Sequence, residues 1–312
     1  MEDYEDKIES TIYDDEELDL VALVSANAND TSQYLVFEGS DGQFYAKNVS
    51  KIEELLVYKD IDIAKNTNDT LIIGTADIRG NMTTIIKFDE WFGNKVLSDK
   101  DYELIILAHY GGYRLGIVVK RVEYIVNIPA ETMTDNSEND EKSSFIAKVL
   151  IGQKEQMCII FDSDKMLLDV FDTIDDKAIQ DTNELEMVKT DKMVLFADDS
   201  KFIRKMAEGL FLKMGLKYRI YNNGQLLLDD LNNINPEDIT IFITDLEMPI
   251  LGGREVISQI RKNKKYDSIN IIVHTNMSND NMSSSLLEHG AQQIIGKVDM
   301  LSLSEAMKKL MV

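Results

Sequence analysis

Five residues in the C-terminal part of the chain have types and spacings suited to chemistry on a phosphoryl group. Asp198 and Asp199 follow the apolar run MVLFA, Asp245 follows ITIFIT, Thr275 follows NIIVH and Lys297 follows QQIIG. Asp245 comes 46 residues after Asp199, Thr275 30 residues later and Lys297 22 residues after that. Adjacent carboxylates repel, so a chain that sets Asp198 beside Asp199 at a strand end must supply a cation. An all-oxygen donor set suits hard Mg²⁺ rather than zinc or copper. Lys297 brings a second positive charge and Thr275 a hydroxyl donor, and together they can hold the oxygens of a phosphoryl group. Asp245 is the carboxylate placed to accept that group as an aspartyl-phosphate. Each residue alone has an ordinary explanation, as helix cap, strand end or solvated lysine. The full set at these intervals does not.

Such a set functions only if its members meet. Five apolar runs alternate with helical stretches that begin near Ser200, Gln225, Gly253, Met282 and Leu303. That alternation predicts an open parallel sheet covered on both faces. In the first helix Ile203, Met206, Ala207, Leu210, Phe211 and Met214 follow the i, i+3, i+4 spacing, and Gly215 can end it. Ligands of such sheets gather at the carboxyl ends of the strands, where all five residues fall.

Residues 33–172 follow a different grammar. Short β-type runs are joined by turn segments such as EGSDGQ, AHYGGY and IGQKEQ. NVSKIEELLVYK reads as the one helical insert, with Val49, Ile52, Leu55 and Leu56 on one face. Many short strands with hairpins predict one or two small β-barrels. PAETMTDNSENDEKSS reads as a surface loop and residues 173–190 as an interdomain linker.

Charge divides the chain in the same place. The net charge is −23. Residues 192–312 hold 15 basic and 15 acidic residues, so the whole excess lies in residues 1–191. The first twenty residues carry ten carboxylates against Lys7 alone, and residues 1–32 read as a solvated acidic tail. This balance argues against nucleic acid and anionic lipid as partners. No apolar run approaches the roughly 20 residues of a membrane helix. A single cysteine, Cys158, excludes an internal disulfide and fits a core position in a protein of the reducing cytoplasm. Three histidines and one cysteine leave little for zinc.

Residues 191–312 resemble a response-regulator receiver domain. The resemblance implies a flavodoxin-like α/β fold with strand order 2-1-3-4-5, Mg²⁺ held by Asp198, Asp199, Asp245 and the backbone carbonyl of Glu247, and phosphorylation of Asp245. It also implies that Thr275 and Lys297 contact the phosphoryl group, and that Pro249, Gly252 and Gly253 shape the loop after the acceptor. Three positions depart from the family pattern. Asn276 stands where Ala or Gly is usual, Val298 where Pro is usual, and Ile294 where an aromatic is common.

The blocks QYLVFEGSDGQFYAKNVSKIEELL, LIIGTADIRGNMTTIIKFDEWFG, YRLGIVVKRVEYIVNIP and FIAKVLIGQKEQMCIIFDSDKML resemble the CheW-like coupling domain of bacterial chemotaxis. That likeness implies two small five-stranded β-barrels, no chemistry, and contacts to chemoreceptor cytoplasmic tips and the histidine kinase CheA. Arg79, on a hairpin kinked by Gly80, is the residue expected at a partner contact; an intradomain ion pair is the alternative. His109, Trp91, Tyr34, Phe37 and Tyr45 read as core.

The two units together are similar to the CheV-type chemotaxis coupling proteins. The implied role is an adaptor between chemoreceptors and kinase, not an enzyme, modulated by phosphorylation of Asp245. A receiver that drains phosphoryl groups from the kinase, or one that is only structural, stays open as an alternative. An aspartate-nucleophile phosphatase would want a DxD at the first strand, and an FMN protein a Gly- or Ser/Thr-rich loop; ADDSKF is neither. No basic helix-turn-helix segment suggests a transcription factor.

Overall fold

The computed structural model describes residues 33–66, 71–110, 113–171, 187–276 and 280–311. The acidic tail and most of the expected linker fall outside these residues.

Among the described residues the N-terminal domain holds two six-stranded sheets. Its strands are β1 (Gln33–Glu38), β2 (Phe44–Asn48), β3 (Glu54–Val57), β4 (Ala64–Lys65), β5 (Ile72–Ile78), β6 (Asn81–Lys87), β7 (Leu104–Tyr110), β8 (Tyr113–Val119), β9 (Arg121–Asn127), β10 (Met133–Asp135), β11 (Ser143–Ile151) and β12 (Lys154–Phe161). One sheet runs β10-β11-β12-β2-β1-β9 and the other β3-β7-β8-β6-β5-β4. Each therefore has one strand more than expected, because the short strands β4 and β10 extend an edge of each sheet. The three turn segments read from the sequence do join antiparallel neighbours, β1–β2, β7–β8 and β11–β12. Helix α1 (Phe88–Phe92) follows β6, and α2 (Ser163–Val170) follows β12.

An aromatic cluster fills the main core. Phe37, Phe88, Trp91 and Phe161 are buried, with Phe37 edge-on to Phe88 at 4.7 Å and Phe88 edge-on to Phe161 at 5.2 Å. Such geometry sets the positive ring edge against the negative face of its neighbour. Tyr34 and Tyr45 are buried as well.

The helical insert is not formed. Val49–Lys51 make a single 3₁₀ turn whose start is capped by the Asn48 side chain. Residues Glu54–Val57 then pair antiparallel with β7. The i, i+3, i+4 spacing of Val49, Ile52, Leu55 and Leu56 coincides with a helix, but sheet pairing overrides it.

The C-terminal domain is the alternating α/β unit expected. Its parallel sheet runs β14 (Lys217–Tyr221), β13 (Met193–Ala197), β15 (Ile239–Thr244), β16 (Asn270–His274), β17 (Gln293–Ile295), the order 2-1-3-4-5. The helices are α3 (Lys201–Lys213), α4 (Gly224–Leu231), α5 (Gly253–Lys262), α6 (Asp280–Glu288) and α7 (Met300–Leu310). Successive strand residues face opposite sides. Val194, Phe196, Ile241 and Ile243 pack with Phe211 of α3 and Leu303 of α7. Leu195, Phe242 and Val273 pack with Leu227 of α4 and Val256 of α5. Burial on both faces is why these strands read as continuous apolar runs. Ser200 caps α3 by accepting from Ile203 N at 3.3 Å, and Gly215 takes a left-handed φ of 69° after its end. Met187 and Val188 resume the described chain on this domain, Val188 N donating to Met214 O at 2.9 Å.

Candidate functional site

Backbone hydrogen bonds between strand ends set the site. Asp245 N donates to Ala197 O at 2.9 Å, Asp198 N to Tyr221 O at 3.1 Å and Thr275 N to Ile295 O at 2.9 Å. Gly253 lets the loop after Asp245 fold tightly: a Cβ there would lie 2.0 Å from the Asp245 carbonyl oxygen. Arg204 on α3 donates to the carbonyls of Asp198 and Asp199 at 3.0 and 2.9 Å, fixing the acidic turn.

Lys297 is the hub. Its Nζ lies 2.8 Å from Asp245 Oδ2, 2.9 Å from Asp164 Oδ2, 3.2 Å from Asp198 Oδ1 and 3.8 Å from Asp199 Oδ1. It is 1% exposed, and Asp198 and Asp245 are fully buried. Burial alone would lower the Lys297 pKa, but the Asp164, Asp198, Asp245 and Asp199 carboxylates overcome it and raise it. Burial, together with the neighbouring Asp245 and Asp199 charges, raises Asp198. Thr275 Oγ1 donates to the Glu247 side chain at 2.9 Å. Burial and the Asp245 charge push that carboxyl up to about 8. The sequence singled out only the Glu247 carbonyl; its buried side chain is an addition.

Two groups come from the other domain. Asp164, in the first turn of α2, accepts from Asn276 Nδ2 at 2.8 Å as well as from Lys297. Burial opposes its ionisation, yet Lys297 and Lys51 hold it down at about 2. Lys51, from the 3₁₀ turn, places Nζ 3.2 Å from both Asp199 oxygens. Around them the domains are closely joined. Lys201 donates to Ser137 O at 2.7 Å, Arg204 to Ser137 Oγ at 3.1 Å, and Asn222 to Asp135. Phe202 and Val298 pack against the aromatic core of the N-terminal domain. The segment read as a surface loop is thus partly an interdomain contact, with Asn136 and Ser137 buried. Its polar composition concealed this because its partners are polar too.

Oxygen atoms of Asp164, Asp198 and Asp199 lie within 4.8 Å of one another, with Asp164 rather than the expected Asp245 completing the set, and Asp198 Oδ2 is buried with no hydrogen-bond partner among the described residues. Hard oxygen donors with an uncompensated atom fit a divalent cation such as Mg²⁺.

Arg79 lies elsewhere. It takes a left-handed φ of 55° before Gly80 at 80°, ion-pairs with Glu54 at 2.5 Å, and leaves 74% of its side chain exposed. The side chain of His109 is outside the described residues.

The chain matches the family model of the CheW-like domain over residues 33–171 and that of the response regulator receiver domain over 194–308. It is 25% identical over 310 residues to the chemotaxis protein CheV2 of Helicobacter pylori, covering 93% of this chain and 98% of that one. With CheV1 of the same organism it is 29% identical, covering 85% and 89%. The chain belongs to the CheV-type chemotaxis coupling proteins. Among solved structures, the scaffolding protein TtCheW of Thermoanaerobacter tengcongensis aligns at 23% identity with a TM-score of 0.37, covering 42% of this chain and 88% of that one. CheV-type proteins are adaptors rather than enzymes, and receiver domains generally bind Mg²⁺. Among the described residues no helix is long and apolar enough to cross a membrane.

Proposed function

We propose that this chain is a cytoplasmic adaptor that couples chemoreceptor cytoplasmic tips to the histidine kinase CheA and is modulated by phosphorylation of Asp245. The supporting observation is the convergence of Asp198, Asp199, Asp245 and Lys297 from separate strand ends onto one buried cluster. Asp198, Asp199, Asp245 and the Glu247 carbonyl would hold Mg²⁺, which when bound supplies charge neutralisation for phosphoryl transfer. An oxygen of Asp245 attacks phosphorus; the O–P bond forms as the P–N bond of the kinase phosphohistidine breaks, its electron pair staying on the imidazole. Lys297 neutralises charge on the transferred group, and Thr275 donates to it once released from Glu247. The N-terminal domain, residues 33–172, carries the partner contacts, with the exposed Arg79 at the β5–β6 turn beside Gly80. The receiver then spans residues 191–312, with residues 173–190 as the linker.

Purified protein incubated with Mg²⁺ and phosphorylated CheA-type kinase tests this. Label should reach wild type and not Asp245→Asn. Failure to label wild type would leave an unmodulated adaptor. Label that reaches Asp245 without changing affinity for kinase or receptor fragments would favour a phosphate sink.

A further inference from the structure

The acceptor is inaccessible as the domains stand. Asp245 and Asp198 are fully buried. The crevice between the domains, lined in part by Lys51, Asp162, Asp199 and Glu247, offers about 20 Å³ to water centres, room for one or two waters. A phosphoryl group with its donor does not fit there. What fills the site is a pair of groups from the N-terminal domain, and they match the missing ligands in charge and in partners. The Lys51 ammonium sits on both oxygens of Asp199, one of the proposed cation ligands. The Asp164 carboxylate takes up Lys297 and Asn276, donors on the strand ends beside the acceptor. Lys297 Nζ lies 2.9 Å from Asp164 and 2.8 Å from Asp245, so it serves both through one ammonium.

Two of the three departures from the receiver pattern lie in this contact. Asn276 supplies the amide that binds Asp164. Val298 packs on the N-terminal core together with Phe202. Both are accounted for by docking.

We propose that Lys51 and Asp164 act as internal stand-ins for the divalent cation and the phosphoryl oxygens, so that domain docking and phosphorylation of Asp245 exclude one another. A phosphoryl group brings charge of about −1.5 to −2 at neutral pH against the Asp164 carboxylate and claims Lys297, so α2 must leave. Conversely, docking slows phosphorylation by holding Asp245 closed. This rests on the reading of Asp245 as phosphoacceptor. It adds which groups gate that residue and which surface is freed, namely the first turn of α2, the Lys51 turn and the Ser137 segment.

The test uses full-length wild type, Asp164→Asn, Lys51→Met and Asp245→Asn with acetyl phosphate and Mg²⁺. Intact mass follows labelling, and hydrogen exchange follows residues 162–170. Asp164→Asn and Lys51→Met should each label about tenfold faster than wild type. Phosphorylated wild type should lose protection over residues 162–170 by a similar factor, and Asp245→Asn should keep it. If Asp164→Asn folds poorly, Lys51→Met and the wild-type exchange data decide. Equal labelling rates, or protection unchanged in phosphorylated wild type, would overturn the gating while leaving Asp245 as acceptor. No label on any form, from acetyl phosphate or from phosphorylated kinase, would overturn both readings.

Discussion

Replacing Lys297 by Met removes the ammonium that lies within 4 Å of four carboxylates while keeping most of the side-chain volume. At an effective dielectric constant of about 20, one contact near 3 Å has a gross Coulomb energy of roughly 5–6 kcal/mol. The cost of burying both charges offsets most of it. The measurable quantity is the loss on removing one partner of a buried pair, about 3–5 kcal/mol. With a urea slope of about 2 kcal/mol/M, the midpoint of the C-terminal domain should fall by about 2 M in EDTA. Mg²⁺ should restore part of this, since a cation on Asp198 and Asp199 replaces the lost countercharge. At about 100 times its Kd a native-state ligand contributes about 2.7 kcal/mol, and the variant should gain more than wild type. Urea titrations followed by far-UV circular dichroism, with EDTA and with Mg²⁺, read both effects. A shift below about 1 kcal/mol in EDTA, or a larger Mg²⁺ gain in wild type, would refute the view that Lys297 balances the cluster.

Gly253→Ala sets a Cβ 2.0 Å from the Asp245 carbonyl oxygen, so the loop must shift; a loss of about 2–4 kcal/mol in chemical denaturation is expected, with slower labelling of Asp245. Burial pushes the Cys158 thiol up to about 12, so native protein at neutral pH should resist thiol reagents and react only once unfolded, as mass spectrometry can show. Burial lowers His274 to about 3. Its neutral form therefore supports the fold above the unfolded value of about 6.5, and that support is lost progressively as pH falls below it toward 3. Between pH 7 and 5, wild type should lose about 2 kcal/mol more than His274→Leu. Arg79→Ala should lower stability by about 1–3 kcal/mol, because the arginine is exposed but its partner Glu54 is only 9% exposed and loses that partner, while weakening capture of kinase or receptor fragments if that turn is the partner contact.

The receiver site was legible because its parts obey local rules. Asp198, Asp245 and Lys297 each follow an apolar run, and a parallel sheet with order 2-1-3-4-5 brings those ends together without further information. Asp164 and Lys51 obey no such rule. They reach the site across 133 and 148 residues of sequence, Asp164 from the first turn of a short helix and Lys51 from within the supposed helical insert. Leu55 and Leu56 show a second limit: their spacing fits a helix, and only pairing with Ile106 and Ile105 makes them strand. Ser137 shows a third, since a polar segment buried by polar partners carries no apolar signature to betray it.

The described chain stops at Phe171, just after helix α2, and resumes at Met187 on the other domain. At about 3.5 Å per residue, the intervening stretch cannot let its ends drift beyond roughly 60 Å. Asp164 therefore stays tethered near Lys297, because one covalent chain carries both domains. Encounter between the two is a first-order event, so its equilibrium is written into each molecule and does not depend on how many copies a cell makes.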